Sequence, residues 1–301
     1  MKMRWLAVTA LVSVIGVAWP AGAQQRTLTP EERAERERQF QAELRAPRPI
    51  EAVSSVWIDE LTWMEVRDEL AAGKTTAIIP TGGVEQNGPY LTTGKHNVIL
   101  IGACEAIAGK LGNALCAPVV KFVPEGRIDP PSGHMRYPGT ISLRQETYQA
   151  LLDDIASSLV AHGFTDIIFL GDSGGNQSGM EAVANTLNER WSGRGATAYF
   201  IGGFYRPGYS ETERFAREVL GIEQTEDDGL HDSFGVTALM MVTDPTAVRF
   251  DQRVKAGLAK INGVPITPLK ATVDIAKKMM DFRADYTVKL IHEAMASSAS
   301  Q

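Results

Sequence analysis

The sequence predicts an α/β fold, a three-layer sandwich on a mostly parallel central sheet, and three observations carry that prediction. Short runs rich in Ile, Val, Phe and Leu recur between amphipathic stretches of helical period. The two kinds alternate along the chain, as successive βαβ units require. Once a polar N-terminal arm is set aside, about 250 residues remain, a length that one α/β domain accommodates.

The chain opens with Lys2 and Arg4, an apolar run over 5–19, and then Ala21-Gly22-Ala23. That is the order of a secretory signal cleaved after Ala23. The run is shorter than the roughly 20 residues a bilayer core needs, and Pro20 breaks it, which speaks against a membrane anchor. The mature protein is therefore expected in the periplasm or outside the cell, with no membrane attachment. Residues 24–50 form a polar arm. Thr29 suits a cap, Pro30 the first turn, and Glu31 and Glu32 the positive end of a helix that 45–49 terminates. A flexible arm or a subunit-packing helix is the expected role.

From residue 51 the expected order is helix 61–72, strand 75–80, helix 97–111, strand 114–120 and helix 143–162. Strand 166–170, helix 180–191, strand 197–201 and helix 210–220 follow, with helix again over most of 271–298. The pattern contains no repeat, so 51–301 reads as one domain.

Composition excludes some functions. Removing Lys2 and Arg4 from a chain of net charge −6 leaves −8, which gives no electrostatic footprint for nucleic acid. Cys104 and Cys116 are too few for a Cys-rich zinc site. Their apolar surroundings read as those of small buried residues, a disulfide between them being the alternative.

In parallel sheets ligands bind beyond the carboxyl ends of the strands. The loops that leave those ends here are 81–96, 121–140, 171–179 and 203–210, with 225–235 joining them. His96, His134 and His231 fall in or beside these loops. His162 and His292 sit inside helical patterns and read as surface or helix-end imidazoles. The first loop carries Gly82-Gly83-Val84-Glu85-Gln86-Asn87-Gly88-Pro89 and leads to His96. Glu and His there supply the oxygen and nitrogen donors that zinc or manganese prefers.

The third loop, Gly171-Asp172-Ser173-Gly174-Gly175, spells the pentapeptide around the nucleophile of trypsin-like proteases. It follows an apolar strand in an alternating α/β chain, and Asn176 replaces the expected Pro, so that fold is excluded. A serine at a strand-to-helix turn is nonetheless the geometry of a nucleophile elbow, with His231-Asp232 as its base. A helix-capping hydroxyl is the competing role for Ser173.

Four segments resemble the creatininase (creatinine amidohydrolase) family. They are the Glu85 segment, Gly133-His134-Met135-Arg136-Tyr137-Pro138-Gly139-Thr140-Ile141-Ser142-Leu143, the Asp172–Asn176 turn, and more loosely Gly229-Leu230-His231. They occur in the family's order over roughly 57–245. The resemblance implies a creatininase-like fold, a small-molecule substrate and a homo-oligomer, since family members commonly assemble as hexamers. It also implies a metal centre, because members typically hold two ions. Aligned on this chain, the ligand positions fall at Glu85, Asn87, His96, Ser173 and Gly175, and only Glu85 keeps its type.

A remodelled site follows, rather than creatinine hydrolysis itself. Glu85, His96 and Asp172 are the expected ligands of a single divalent ion, zinc or manganese, with a metal-free site as the alternative. His231 or His134 is expected to shuttle the proton to the leaving nitrogen. Asn87, Arg136, Asn176 and Asp232 are expected to contact substrate, although Arg136 has Asp129 or Glu125 as competing partners. The expected activity is hydrolysis of a C–N amide bond, cyclic amides included. A metal-independent ester or lactone hydrolase using Ser173, or a non-catalytic binding protein, is the alternative.

Overall fold

A computed structural model describes residues 28–298. The expected secretion signal lies outside the described residues. The described residues fall into two units, divided between Pro49 and Ile50.

In the first unit, helix α1 (Pro30–Arg45) forms as the sequence predicts. The Thr29 hydroxyl accepts from the Glu32 backbone N–H while the Glu32 carboxylate accepts from the Thr29 N–H, a reciprocal capping box, and Pro30 fills the first turn. None of its residues is buried.

The second unit begins with α2 (Trp63–Ala71), whose Thr62 and Glu65 form a second capping box. Then β1 (Thr76–Thr81), α3 (Lys95–Leu111), β2 (Ala114–Cys116), α4 (Gln145–Ala161), β3 (Asp166–Gly171), α5 (Gln177–Trp191) and β4 (Thr197–Phe200) alternate. The strands pair in parallel in the order β2-β1-β3-β4. Strand residues point alternately to the two faces. Ile78, Ile168 and Leu170 join a core with α3, α6 (Gly208–Glu218), α7 (Phe234–Thr243) and α9 (Leu269–Ser298). Ala77, Ile79, Ile167 and Phe169 join the opposite core with α4 and α5. The three layers thus follow from period-two burial in strands apolar on both faces.

From β1 the chain crosses to β2 on one side, then returns over β1 to β3 on the other. The direction of winding reverses between β1 and β3, and that reversal opens a crevice beyond their carboxyl ends.

Three expectations need correction. The strand placed at 114–120 stops at Cys116, and only an isolated bridge joins Val120 to Thr81. Helix α7, the short α8 (Phe250–Lys255) and the hairpin of β5 (Lys260–Ile261) and β6 (Val264–Pro265) were not anticipated. In α7 the sequence FGVTALMMVT is apolar almost all round, and a helix buried on every side carries no 3.6-residue pattern. Finally, Cys104 and Cys116 are buried as expected but are joined in a disulfide. Helix α3 ends at the left-handed Gly112, and β2 runs back alongside it, which brings residue 116 next to residue 104.

Among the described residues no helix is long and apolar enough to cross a membrane.

Candidate active site

The floor of the crevice is built by the turns that leave β1 and β3. After Thr81 the chain passes through Gly82 and Gly83, and the Asn97 side chain clasps that turn. Its amide donates to Gly83 O at 2.8 Å, and its Oδ1 accepts from Gly83 N at 3.2 Å. Asn176 holds the same turn from the β3 side, its amide donating to Thr81 O and Gly82 O. Glu85 is thereby presented into the crevice at 3% exposure, and Asp172, directly after β3, is fully buried beside it.

His96 lies between these two carboxylates. Its Nε2 is 2.7 Å from Glu85 Oε1, and its Nδ1 is 2.8 Å from Asp172 Oδ2. Burial alone would lower the imidazole pKa, but the two carboxylate hydrogen bonds raise it above its ordinary value. A ring that donates from both nitrogens is an imidazolium. The same pairing acts on Glu85. Burial would raise its pKa, yet the hydrogen bond from His96 and the charges of His96, Lys95 and His134 hold it well below the usual carboxylate range. Asp172 is treated likewise: burial opposes ionisation, while Arg283 and His96 hold its pKa down. Arg283 NH2 donates to Asp172 Oδ1 at 2.8 Å, and the Tyr209 hydroxyl donates to the same carboxylate. The guanidinium itself is stacked between Phe204 and Tyr209 at 4.1 and 4.0 Å. A chain of alternating charge therefore runs Lys95, Glu85, His96, Asp172, Arg283, with Lys95 Nζ 3.3 Å from Glu85 Oε1.

One wall of the crevice is Glu125, from the segment between β2 and α4. The Ser173 hydroxyl donates to its Oε2 at 3.1 Å, and the carboxyl also hydrogen-bonds the neighbouring Glu85. Burial, reinforced by the charge of Glu85, pushes this carboxyl up to about 8, so it keeps its proton at neutral pH. Two glycines make the placement possible. A Cβ at Gly83 would sit 2.0 Å from Glu125 Oε1, and one at Gly175 would sit 1.9 Å from Pro124 O. The close approach of the 124–125 backbone to the β3 turn thus requires glycine at 175, and at 83 the Glu125 carboxyl takes the space a Cβ would fill.

The rim carries His134, on a single 3-10 turn (Gly133–Arg136), and His231, from the segment before α7. Their rings stack with centroids 4.8 Å apart. His134 Nε2 lies 3.2 Å from Glu85 Oε2, on the side of the carboxylate away from His96. His231 takes a left-handed φ of 58°, uncommon for a residue with a side chain, and its Nδ1 meets Gln86 O at 3.1 Å. Partial loss of hydration and the charge of Lys95 lower its pKa, which favours the neutral, ligating form of imidazole. Glu85, His134 and His231 each offer a ligand atom, and these atoms lie within 4.8 Å of one another. A carboxylate with two imidazoles is a donor set that fits a zinc-type divalent ion. Floor, wall and rim enclose a cleft of about 1160 Å³.

The sequence-derived site is therefore regrouped. Glu85, His96 and Asp172 do meet, but in a hydrogen-bonded row and not around a common point. Both His96 nitrogens and both Asp172 oxygens are engaged within that row. The partners Glu85 does share on its open side are His134 and His231, which the sequence suggested for proton transfer. Ser173 hydrogen-bonds Glu125, and among the described residues none of its hydrogen bonds runs to a histidine, so no serine–histidine relay is assembled.

Asn87 and Asn176 spend their amide N–H groups on backbone carbonyls. The Asp232 carboxylate lies 3.7 Å from buried Arg253, although the residue lines the cleft. Arg136 is exposed and outside the cleft lining. Sequence reasoning missed Lys95, Glu125, Tyr209 and Arg283. Lys95 adjoins His96 and Glu125 lies in a flagged loop, so both were within reach. Arg283 is 111 residues from Asp172 inside a helical pattern, and nothing local marks it.

A buried, charge-paired cluster at the switch point of a doubly wound parallel sheet, with carboxylate and imidazole open to a cleft, defines an α/β protein with a small-molecule site of enzyme type. The creatininase family model, described as creatinine amidohydrolase, matches residues 59–291, and the chain belongs to that family. A curated relative, the creatinine amidohydrolase of Pseudomonas putida, is 28% identical over 116 residues, which cover 38% of this chain and 44% of that protein. The match thus spans less than half the relative's length. Among solved structures, a tryptophan-to-alanine mutant of creatininase superposes with TM-score 0.58 at 18% identity, covering 80% of this chain and 98% of the other. A crystal structure of creatinine amidohydrolase superposes with TM-score 0.55 at 19% identity, covering 82% and 98%. These two likenesses establish the fold.

Proposed function

We propose that the protein is a metal-dependent amidohydrolase that cleaves a C–N amide bond, cyclic amides included, in a small molecule. One divalent ion is held by Glu85, His134 and His231. The observation that carries this reading is the convergence of those three donors on the open side of Glu85. Neighbours of known structure support the choice of ion, since one is described as creatininase with Mn and another as a glutamate-to-glutamine mutant of Zn–Zn type. A further mutant creatininase is complexed with creatine, which supports a small-molecule substrate.

When bound, such an ion polarises a carbonyl and lowers the pKa of a coordinated water. The remaining work belongs to the chain. Glu85 is kept ionised by His96 and Lys95, so it is ready to accept a cation. His231 is kept neutral, with Gln86 O fixing the orientation of its ring. Ser173 and Glu125 line the wall with polar groups for the substrate, and the Tyr205 hydroxyl lies beside Gly174. Asn87, His96, Ser173 and Gly175 replace the family's ligand types, and the cleft exceeds the 300–1,000 Å³ or so typical of small-molecule sites. The first point supports a substrate other than creatinine, and the second an amide larger than it.

Export and self-association belong to the same proposal. The signal-like order of residues 1–23 supports export, and so does the Cys104–Cys116 disulfide, a bond that persists in oxidising compartments. The exposed apolar side chains of Phe122, Tyr137 and Ile141 support a homo-oligomer, by family resemblance a hexamer.

The test is a panel of linear and cyclic amides incubated with chelator-treated protein, before and after addition of zinc or manganese. Turnover restored by about one equivalent of metal, and absent in Glu85→Ala, is the expected result. Full turnover by the metal-free protein would overturn the proposal.

A further inference from the structure

In that scheme Lys95 only helps to keep Glu85 ionised, yet its position is costly. It lies in the first turn of α3 at 4% exposure, where a helix N-terminus already carries partial positive charge. Lysine is almost never so buried unless paired. Its partner is Glu85, with Nζ 3.3 Å from Oε1.

The Glu85 carboxylate is divided between two environments. Oε1 faces α3 and takes both Lys95 Nζ and His96 Nε2. Oε2 faces the cleft and takes His134 Nε2 at 3.2 Å, with His231 close by. A cation approaching Oε1 finds that side already occupied by protein cations, whereas the Oε2 side presents two imidazoles.

We propose that Lys95 is a built-in counter-ion of the metal centre, holding Glu85 Oε1 in place of a second ion and limiting the site to one divalent ion on Oε2. The inference rests on the single-metal reading above. It has a consequence of unusual sign. A divalent ion on Oε2 and an ammonium on Oε1 repel each other across one carboxylate, in a site shielded from water where such repulsion is strong. Lys95 therefore weakens metal binding while it neutralises Glu85 in the metal-free protein. It is a positioning residue acting through Glu85.

The test uses the full chain, stripped by dialysis against a chelator and titrated calorimetrically with zinc chloride or manganese chloride. Bound metal is counted by elemental analysis. The wild type is expected to bind one equivalent. Lys95→Met and Lys95→Gln are expected to bind the ion about tenfold more tightly or better, and Lys95→Arg to bind as the wild type does. A lysine serving only as a structural support would give the opposite sign, since its removal would loosen the ligands. Thermal melts of the metal-free variants identify those that fold, and Lys95→Gln serves if Lys95→Met does not. Unchanged or weakened affinity in the folded neutral variants overturns the inference, as does tightening in Lys95→Arg. Two equivalents in the wild type overturn it and leave the amidohydrolase reading standing. No binding by the wild type overturns both.

Discussion

The floor and the rim of the cleft use the same residue types for different ends. On the floor, His96 has a carboxylate on each nitrogen, and Asp172 is enclosed by His96, Tyr209 and Arg283. At the rim, His134 meets one oxygen of Glu85, and His231, held by Gln86 O, lies close by with its other ring nitrogen uncommitted among the hydrogen bonds of the described residues. Acting on a ligand requires coordination or hydrogen-bonding capacity that is not already spent. The floor has spent its capacity on holding the fold together at the switch point, so the chemistry is left to Glu85 Oε2, the rim and the wall.

Substitutions on each side should separate these roles. The largest loss of stability is expected from Arg283→Met, which leaves Asp172 buried without its fixed cation. Breaking a buried pair in this way costs about 3–5 kcal/mol, and urea denaturation of the metal-free protein would measure it. An unchanged midpoint would mean that Arg283 is not what keeps Asp172 ionised. Next comes Cys104→Ala with Cys116→Ala, expected to cost about 2–4 kcal/mol through the freed unfolded chain, with metal affinity unaltered. A parallel fall in metal affinity would show that the disulfide, through α3, also sets the geometry of Lys95 and His96.

His134→Ala tests the rim. Metal affinity should fall by at least about 10–100-fold, while the melting curve of the metal-free protein stays within about 0.5 kcal/mol of wild type, as for other surface changes. A large loss of stability with metal affinity intact would assign His134 to the floor.

The smallest effect concerns Glu125 and pH in the metal-free protein. Its folded pKa of about 8 lies above the ordinary 4.5. The stability tied to its proton is therefore fully present below the ordinary value and is lost as pH rises through about 8. Glu85 has the opposite sign, with stability present above the ordinary value and lost on acidification. Glu125→Gln should consequently lose less stability than wild type between about pH 6 and about pH 9. Parallel stability profiles would show that Glu125 is ionised throughout.

Much of the fold was legible because its signals are local. TTAIIP and DIIFL announce buried strands, and Thr29 and Glu32 announce a helix start. The long helices differ from their expected limits by a few residues, with α3 starting at Lys95 in place of residue 97. What stayed hidden had no periodicity, as in α7, or depended on distant contacts, as in the pairing of Cys104 with Cys116. The site divides in the same way. Glu85, His96, Asp172, His134, Ser173 and His231 were visible because strand ends in a parallel sheet converge. Which of them share an oxygen was not visible, because that depends on a bond between residues 76 apart, His96 to Asp172. It depends equally on a loop that brings Glu125 across Gly83 and Gly175. Asn87 and Asn176 looked like substrate contacts for a related reason: a polar side chain at a strand end reads the same whether it faces a ligand or clasps the backbone.

The central claim is that the open side of Glu85, with His134 and His231, holds one divalent ion. Elemental analysis of full-length protein purified without chelator, beside Glu85→Ala and His96→Gln, tests it most directly. About one zinc or manganese per wild-type chain, none in Glu85→Ala, and an ion retained in His96→Gln wherever that variant folds is the predicted result. A metal-free wild type, or an ion that persists in Glu85→Ala, would contradict it.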